Sequence, residues 1–71
     1  MRTEYRGYTV DVLAHQEAGD WEAEVNIWPT ISDAPGLRDM GAVRGYPGKV
    51  EAEAGGLRWA RECIDRFIPQ S

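Results

Sequence analysis

Seventy-one residues leave room for one domain, and a domain of this size buries only about 60% of the surface that its unfolded chain exposes, which argues against a deep catalytic cleft in a lone protomer. A single cysteine, Cys63, excludes an internal disulfide, and a single histidine, His15, leaves no Cys/His zinc set, so oligomerisation is the support expected for so small a scaffold. A net charge of -4 repels a phosphate backbone, and no run of eighteen apolar residues or signal-like apolar stretch appears, so a cytoplasmic, soluble protein with neither membrane nor nucleic-acid partner is expected.

Along the chain, Tyr8 to Ala14 places Tyr8, Val10, Val12 and Ala14 on one side and Thr9, Asp11 and Leu13 on the other, the alternation of a first strand. Glu17-Ala-Gly-Asp20 then reads as a four-residue hairpin loop with Gly19 free to take positive φ. The second strand, Trp21 to Trp28, buries Trp21, Ala23, Val25 and Ile27. Pairing Ala14 with Trp21 would set Asp11 opposite Glu24, and directly opposed like charges destabilise a sheet. Pairing Gln16 with Trp21 avoids this, setting Asp11 against Asn26, Leu13 against Glu24 and His15 against Glu22.

Pro29 ends that strand, and Pro29 to Asp39, with Ser32, Asp33 and Pro35-Gly36, has the composition of a flexible surface loop. Met40 to Tyr46 supplies a short third strand despite its glycines, and Pro47-Gly48 stops it. From Gly48 as N-cap to Ile68 one helical pattern runs without interruption, with Glu51 and Glu53 favouring the positive end of its dipole. Val50, Ala54, Leu57, Ala60, Ile64, Phe67 and Ile68 share one broad arc, with Leu57 and Ile64 at its centre. Gly55-Gly56 costs this helix roughly 1 kcal/mol per glycine against alanine, which close approach to the sheet would explain. The expected architecture is α+β: a single domain, residues 1–71, built as a three-stranded antiparallel meander with one long C-terminal helix packed on one face.

Chemistry is sparse. Gly48-Lys49 before a helix suggests a phosphate loop, but Val43 stands where that motif needs glycine and Val50 where it needs Ser or Thr. His15 beside Glu22 suits a general base, yet with no nucleophile or oxyanion donor evident nearby it reads as a solvated hairpin histidine. Asp11, Glu22 and Glu24 share the outer sheet face and have the ligand type for a hard cation, but exposed strand carboxylates read first as solvated. Cys63 reads as a small buried hydrophobe. Arg58, Glu62 and Arg66, with Arg61 and Asp65, pair four apart along the helix and make a neutral, solvated face. No catalytic, cofactor or metal site is therefore expected. Tryptophans that escape the core carry more: Trp28 points to the outer sheet face and Trp59 lies off the helical arc, and with Thr9 and Leu13 they form the candidate interaction surface.

Tyr5-Arg-Gly-Tyr8, Trp21-Glu-Ala-Glu-Val25, Glu51-Ala-Glu-Ala54, Trp59-Ala-Arg61 and Ile64-Asp65, with the order of strands and helix, resemble small bacterial proteins grouped as domains of unknown function. The match spans most of the chain and rests on structural residues. More distantly the layout is similar to the HicB antitoxin N-terminal domain and to the strands and final helix of the double-stranded RNA-binding fold. Those resemblances imply a partner toxin and an RNA duplex, respectively. The basic helix N-terminus that grips RNA phosphates is replaced here by Lys49 followed by Glu51 and Glu53, and that fold's first helix is missing from the pattern. RNA binding does not carry over, and no catalytic residue transfers. The leading expectation is a non-enzymatic interaction module, a homodimer or one half of a protein complex. A HicB-like or RNA-associated domain is second, with a positive patch of Arg38, Arg44 and Lys49 as its mark. An enzyme built across a dimer around Asp11, His15, Glu22 and Glu24 is third.

Overall fold

A computed structural model describes residues 1–30 and 38–68. Four strands, β1 (Arg2–Tyr5), β2 (Tyr8–Glu17), β3 (Asp20–Pro29) and β4 (Asp39–Tyr46), form an antiparallel sheet in that order, and α1 (Lys49–Phe67) crosses one face. The α+β class and the terminal helix are as expected, but the sheet has four strands rather than three. The added strand is β1, whose four residues alternate Arg and Glu with Thr and Tyr and so carry little apolar signal. It reaches β2 through Arg6-Gly7, both with positive φ, the two-residue hairpin turn whose twist suits flanking strands. Arginine is an unusual occupant of that region, which hides the turn in the sequence.

Between β2 and β3 the register is the one that separates Asp11 from Glu24: Asp11 faces Asn26, Leu13 faces Glu24, His15 faces Glu22 and Gln16 faces Trp21. Pairing continues to Glu17 and Asp20, so the expected four-residue loop is a two-residue turn at Ala18-Gly19, again with both φ positive. The third expected strand exists as β4, with a register irregularity opposite Trp21 to Ala23. Of the loop expected over Pro29 to Asp39, Pro29 closes β3 and Asp39 opens β4, while 31–37 lie outside the described residues.

The core is the inner sheet face, Tyr8, Val10, Val12, Ala23, Val25 and Ile27, closed by Ala52, Ala60 and Ile64 of the helix. Ile64 is fully buried as expected, while Leu57 is half-buried at the flank. The buried stripe is turned from the expected arc: Val50 is 72% exposed, Phe67 is 45% exposed, and Gly55 and Gly56 face the sheet. A Cβ on Gly56 would stand 3.0 Å from Val12 Cγ1, 3.1 Å from Val25 Cγ2 and 3.3 Å from Ala23 Cβ. The helix thus settles through its smallest residues, and size-weighted periodicity misplaced the stripe. Gly48 is the N-cap without a side-chain cap, Glu51 lies in the first turn, and the Ile68 amide donates to the Ile64 carbonyl at 2.8 Å at the other end. No helix among the described residues is long and apolar enough to cross a membrane.

Asp65 ties the β1–β2 hairpin to the end of the helix. It accepts from the Tyr5 hydroxyl at 2.8 and 3.0 Å and from Arg6 Nη1 at 2.8 Å, and Arg6 also donates to the Ile68 carbonyl at 3.2 Å. The Arg61 guanidinium sits 5.6 Å from the Tyr5 ring centroid. Arg6 first, and the Tyr5 hydroxyl second, hold the Asp65 carboxyl below its ordinary pKa, and the hydrogen bond to Asp65 holds the Tyr5 phenol above its own. The stabilisation from a depressed carboxyl is whole above the unfolded value of about 3.9 and is lost as pH falls through the lower folded value; that from a raised phenol is whole below about 10 and is lost as pH rises through the higher folded value.

Two measurements check this packing. Ile64→Ala is expected to cost about 2 to 5 kcal/mol in denaturant melts, and Gly56→Leu about 1 to 3 kcal/mol or more through overpacking, whereas a helix standing off the sheet would accept the leucine without loss. Asp65→Asn is expected to be less stable than wild type near neutral pH, with the gap closing as pH falls below about 4. A gap that stays constant through acid melts would show that the carboxylate charge plays no part in the tie.

Candidate interaction surface on the open sheet face

Strand alternation turns one set of side chains away from the helix, and among the described residues no element covers them. They form rows across the sheet. Glu4, Thr9 and Trp28 make one row, and Arg2, Asp11, Asn26 and Met40 the next. Leu13, Glu24 and Ala42 follow, and His15 and Glu22 lie nearest the β2–β3 turn. Pleating, not chemistry, decides this membership, so one wrong register would have scattered it.

The four residues expected to form an interaction surface are placed differently. Leu13 is 61% exposed, and Met40, which the sequence did not single out, is 73% exposed. Thr9 is buried and shares a hydrogen bond with the Thr30 hydroxyl. Trp28 is half-buried: the Arg2 guanidinium lies 5.2 Å from its ring centroid, within reach of a cation–π contact, while pairing with Asp11 at 3.6 Å. The strand hidden in the sequence therefore brings a cation against the Trp28 ring. Trp59 is apart from the other three, half-buried on the helix side against the core, where its ring fills the space over Gly41; a Cβ there would lie 2.6 Å from two of its carbons. The turned helix explains this, since Trp59 moves from the rim toward the edge strand.

Between β3 and β4 runs a shallow cleft of about 370 Å³ lined by Asn26, Ile27, Trp28, Arg38, Asp39 and Met40. A second depression of about 360 Å³ shares Asn26 and Met40 with it and extends toward Glu24 and Ala42. At the far end of the face, His15 Nε2 meets Glu22 Oε1 at 2.6 Å and Glu17 Oε2 at 3.7 Å, and Arg44 Nε holds the other Glu22 oxygen at 3.2 Å. The ligand atoms of His15, Glu17 and Glu22 lie within 4.8 Å of one another, close enough to hold a metal ion. Asp11, Glu22 and Glu24, the carboxylates singled out in the sequence, are not gathered this way: Asp11 is held by Arg2, and Glu22 by His15 and Arg44. Ion pairing also draws Arg44 away from any patch with Arg38 and Lys49.

If the face is open as described, Leu13→Ser and Met40→Ser should each change stability by less than about 0.5 kcal/mol, the range for surface substitutions free of special features. A loss several times larger in urea melts would mean that these side chains are covered.

Comparison with protein-family models, with curated proteins and with solved structures finds no match to this chain.

Proposed function

We propose that this chain is a non-enzymatic interaction module, acting in the cytoplasm through protein–protein contact on the open sheet face. The observation that carries this reading is a four-stranded sheet with, among the described residues, a helix on one side and two large apolar side chains, Leu13 and Met40, left exposed on the other. Apolar side chains held on a rigid sheet give a partner anchors that cost little ordering, and Trp28, half-covered by Arg2, offers the aromatic type favoured at contact centres. The non-enzymatic part is supported by the surroundings of His15. Its paired groups are the carboxylates of Glu17 and Glu22, neither of which is a hydroxyl or thiol for it to activate.

A HicB-like antitoxin is the second reading, favoured by the run of antiparallel strands that, among the described residues, ends in a helix. It is itself a form of protein contact. The RNA-associated version has less support, because Arg44 is paired with Glu22 and the chain is acidic.

Affinity capture from the source cell with wild type and with Leu13→Asp tests the module. The expected result is a partner retained by wild type and lost, by roughly tenfold or more, by a variant that melts like wild type; a partner captured equally by both sinks the proposed surface. In fluorescence titrations at physiological salt, duplex RNA and DNA should bind no tighter than the non-specific range of about 10⁻⁴ to 10⁻⁶ M.

A further inference from the structure

Charge is distributed unevenly between the two faces. The helix carries four basic and four acidic residues and is neutral. Alternation places Glu4, Asp11, Glu17, Asp20, Glu22 and Glu24 on the open sheet face, opposed there by Arg2 and Arg44. Six carboxylates against two guanidinium groups leave four negative charges, equal to the formal net charge of the whole chain. Arg2 is committed to Asp11 and Arg44 to Glu22. Glu4, Asp20 and Glu24 have no ion pair or side-chain hydrogen bond among the described residues.

Glu24 is the informative one. It lies directly between Leu13 on β2 and Ala42 on β4, with Met40 in the adjoining row. An unpaired carboxylate is thus set among the exposed apolar side chains. A neutral apolar partner would strip water from Glu24 and return nothing, which costs free energy. A partner carrying a cation at that point converts the loss into a charge-assisted contact. Two copies stacked open face to open face would oppose four excess negative charges to four, and a nucleic acid would meet the same field.

We infer that the open face binds a basic polypeptide segment, one presenting lysine or arginine to Glu24 and apolar side chains to Leu13 and Met40. The inference rests on the contact function proposed above and names the chemistry of its partner. Attraction over the whole face raises the encounter rate, and the Leu13, Glu24 and Met40 cluster supplies the short-range complementarity.

The test is an amide-shift titration of the isotope-labelled protein with a peptide of about ten residues, the length of a long strand, alternating lysine and leucine. The same titration with a glutamate and leucine peptide is the control. Saturable binding by the lysine peptide is expected, with shifts centred on Leu13, Glu24 and Met40. Affinity should fall about tenfold when ionic strength rises from about 0.05 to about 0.3 M, and about tenfold again in Glu24→Lys. Glu24→Gln, which removes the charge and keeps the shape, should fall between the two. No saturation by about 1 mM peptide, or shifts centred on the helix, would overturn the inference. Equal binding of the glutamate peptide on the same face would also overturn it while leaving the contact function in place. Loss of that function would instead show as partner capture indifferent to Leu13→Asp.

Discussion

The closeness of the helix to the sheet governs the rest of the molecule. A helix can approach no nearer than its inward side chains allow, and here those side chains are Ala52, Gly55, Gly56 and Ala60, with Ile64 as the large exception. Gly56 rests among Val12, Ala23 and Val25, and a Cβ on Gly55 would lie 2.1 Å from the Tyr46 hydroxyl oxygen. Two glycines that weaken the isolated helix are repaid in contact: short-range dispersion is lost quickly with any gap, so removing a methyl from each lets many other atoms touch. Orientation follows from the same contact. With its small stripe seated on β2 and β3, the helix turns Val50 and Phe67 outward and swings Trp59 over Gly41 on the edge strand.

One helix can shield only one side of a four-stranded sheet. Antiparallel sheets tolerate this, since alternation sends polar residues to the wet face. The arrangement is followed here with exceptions at Leu13, Met40 and Trp28, and the most exposed of them flank a carboxylate with no partner of its own. Elsewhere on the face some charges are paired in the plane of the sheet, Arg2 with Asp11 and Arg44 with Glu22, while Glu4 and Asp20 have no such pair among the described residues. Exposed apolar side chains and an unpaired carboxylate therefore meet in the middle rows, at Leu13, Glu24 and Met40.

How much of this the sequence disclosed depends on which physical signal marked each part. The β2–β3 register was legible because avoiding one like-charge pair, Asp11 with Glu24, left a single alternative that kept both apolar faces inward. Helix limits were legible from Pro47-Gly48 and the long apolar period. Strand β1 was not, since four residues with alternating charges and a turn led by arginine carry none of the usual marks. The helix stripe was misplaced because periodicity weights large side chains, and this interface selects small ones. The same two omissions explain the candidate surface. Without β1 there was no Arg2 to cover Trp28, and without the turned stripe Trp59 looked unpartnered. Met40 was overlooked because a glycine-rich strand gave no face to assign it to.

Strand β1 links the two sides of the sheet. Its last residue and the turn beyond it reach the helix side, where Tyr5 and Arg6 converge on Asp65. Its first residue reaches the open side, where Arg2 caps Trp28 and pairs with Asp11. An edge strand of four residues gains little from its own ladder, so these side-chain ties do much to hold it in register against β2. The pleat then requires that a strand correctly seated for Tyr5 also present Arg2 to the opposite face, because the two residues differ by an odd number of positions. The order of the open face around Arg2, Asp11 and Trp28 thus depends on an anchor made on the other side of the sheet, while Leu13 and Glu24 lie one row beyond Arg2, the first residue of β1.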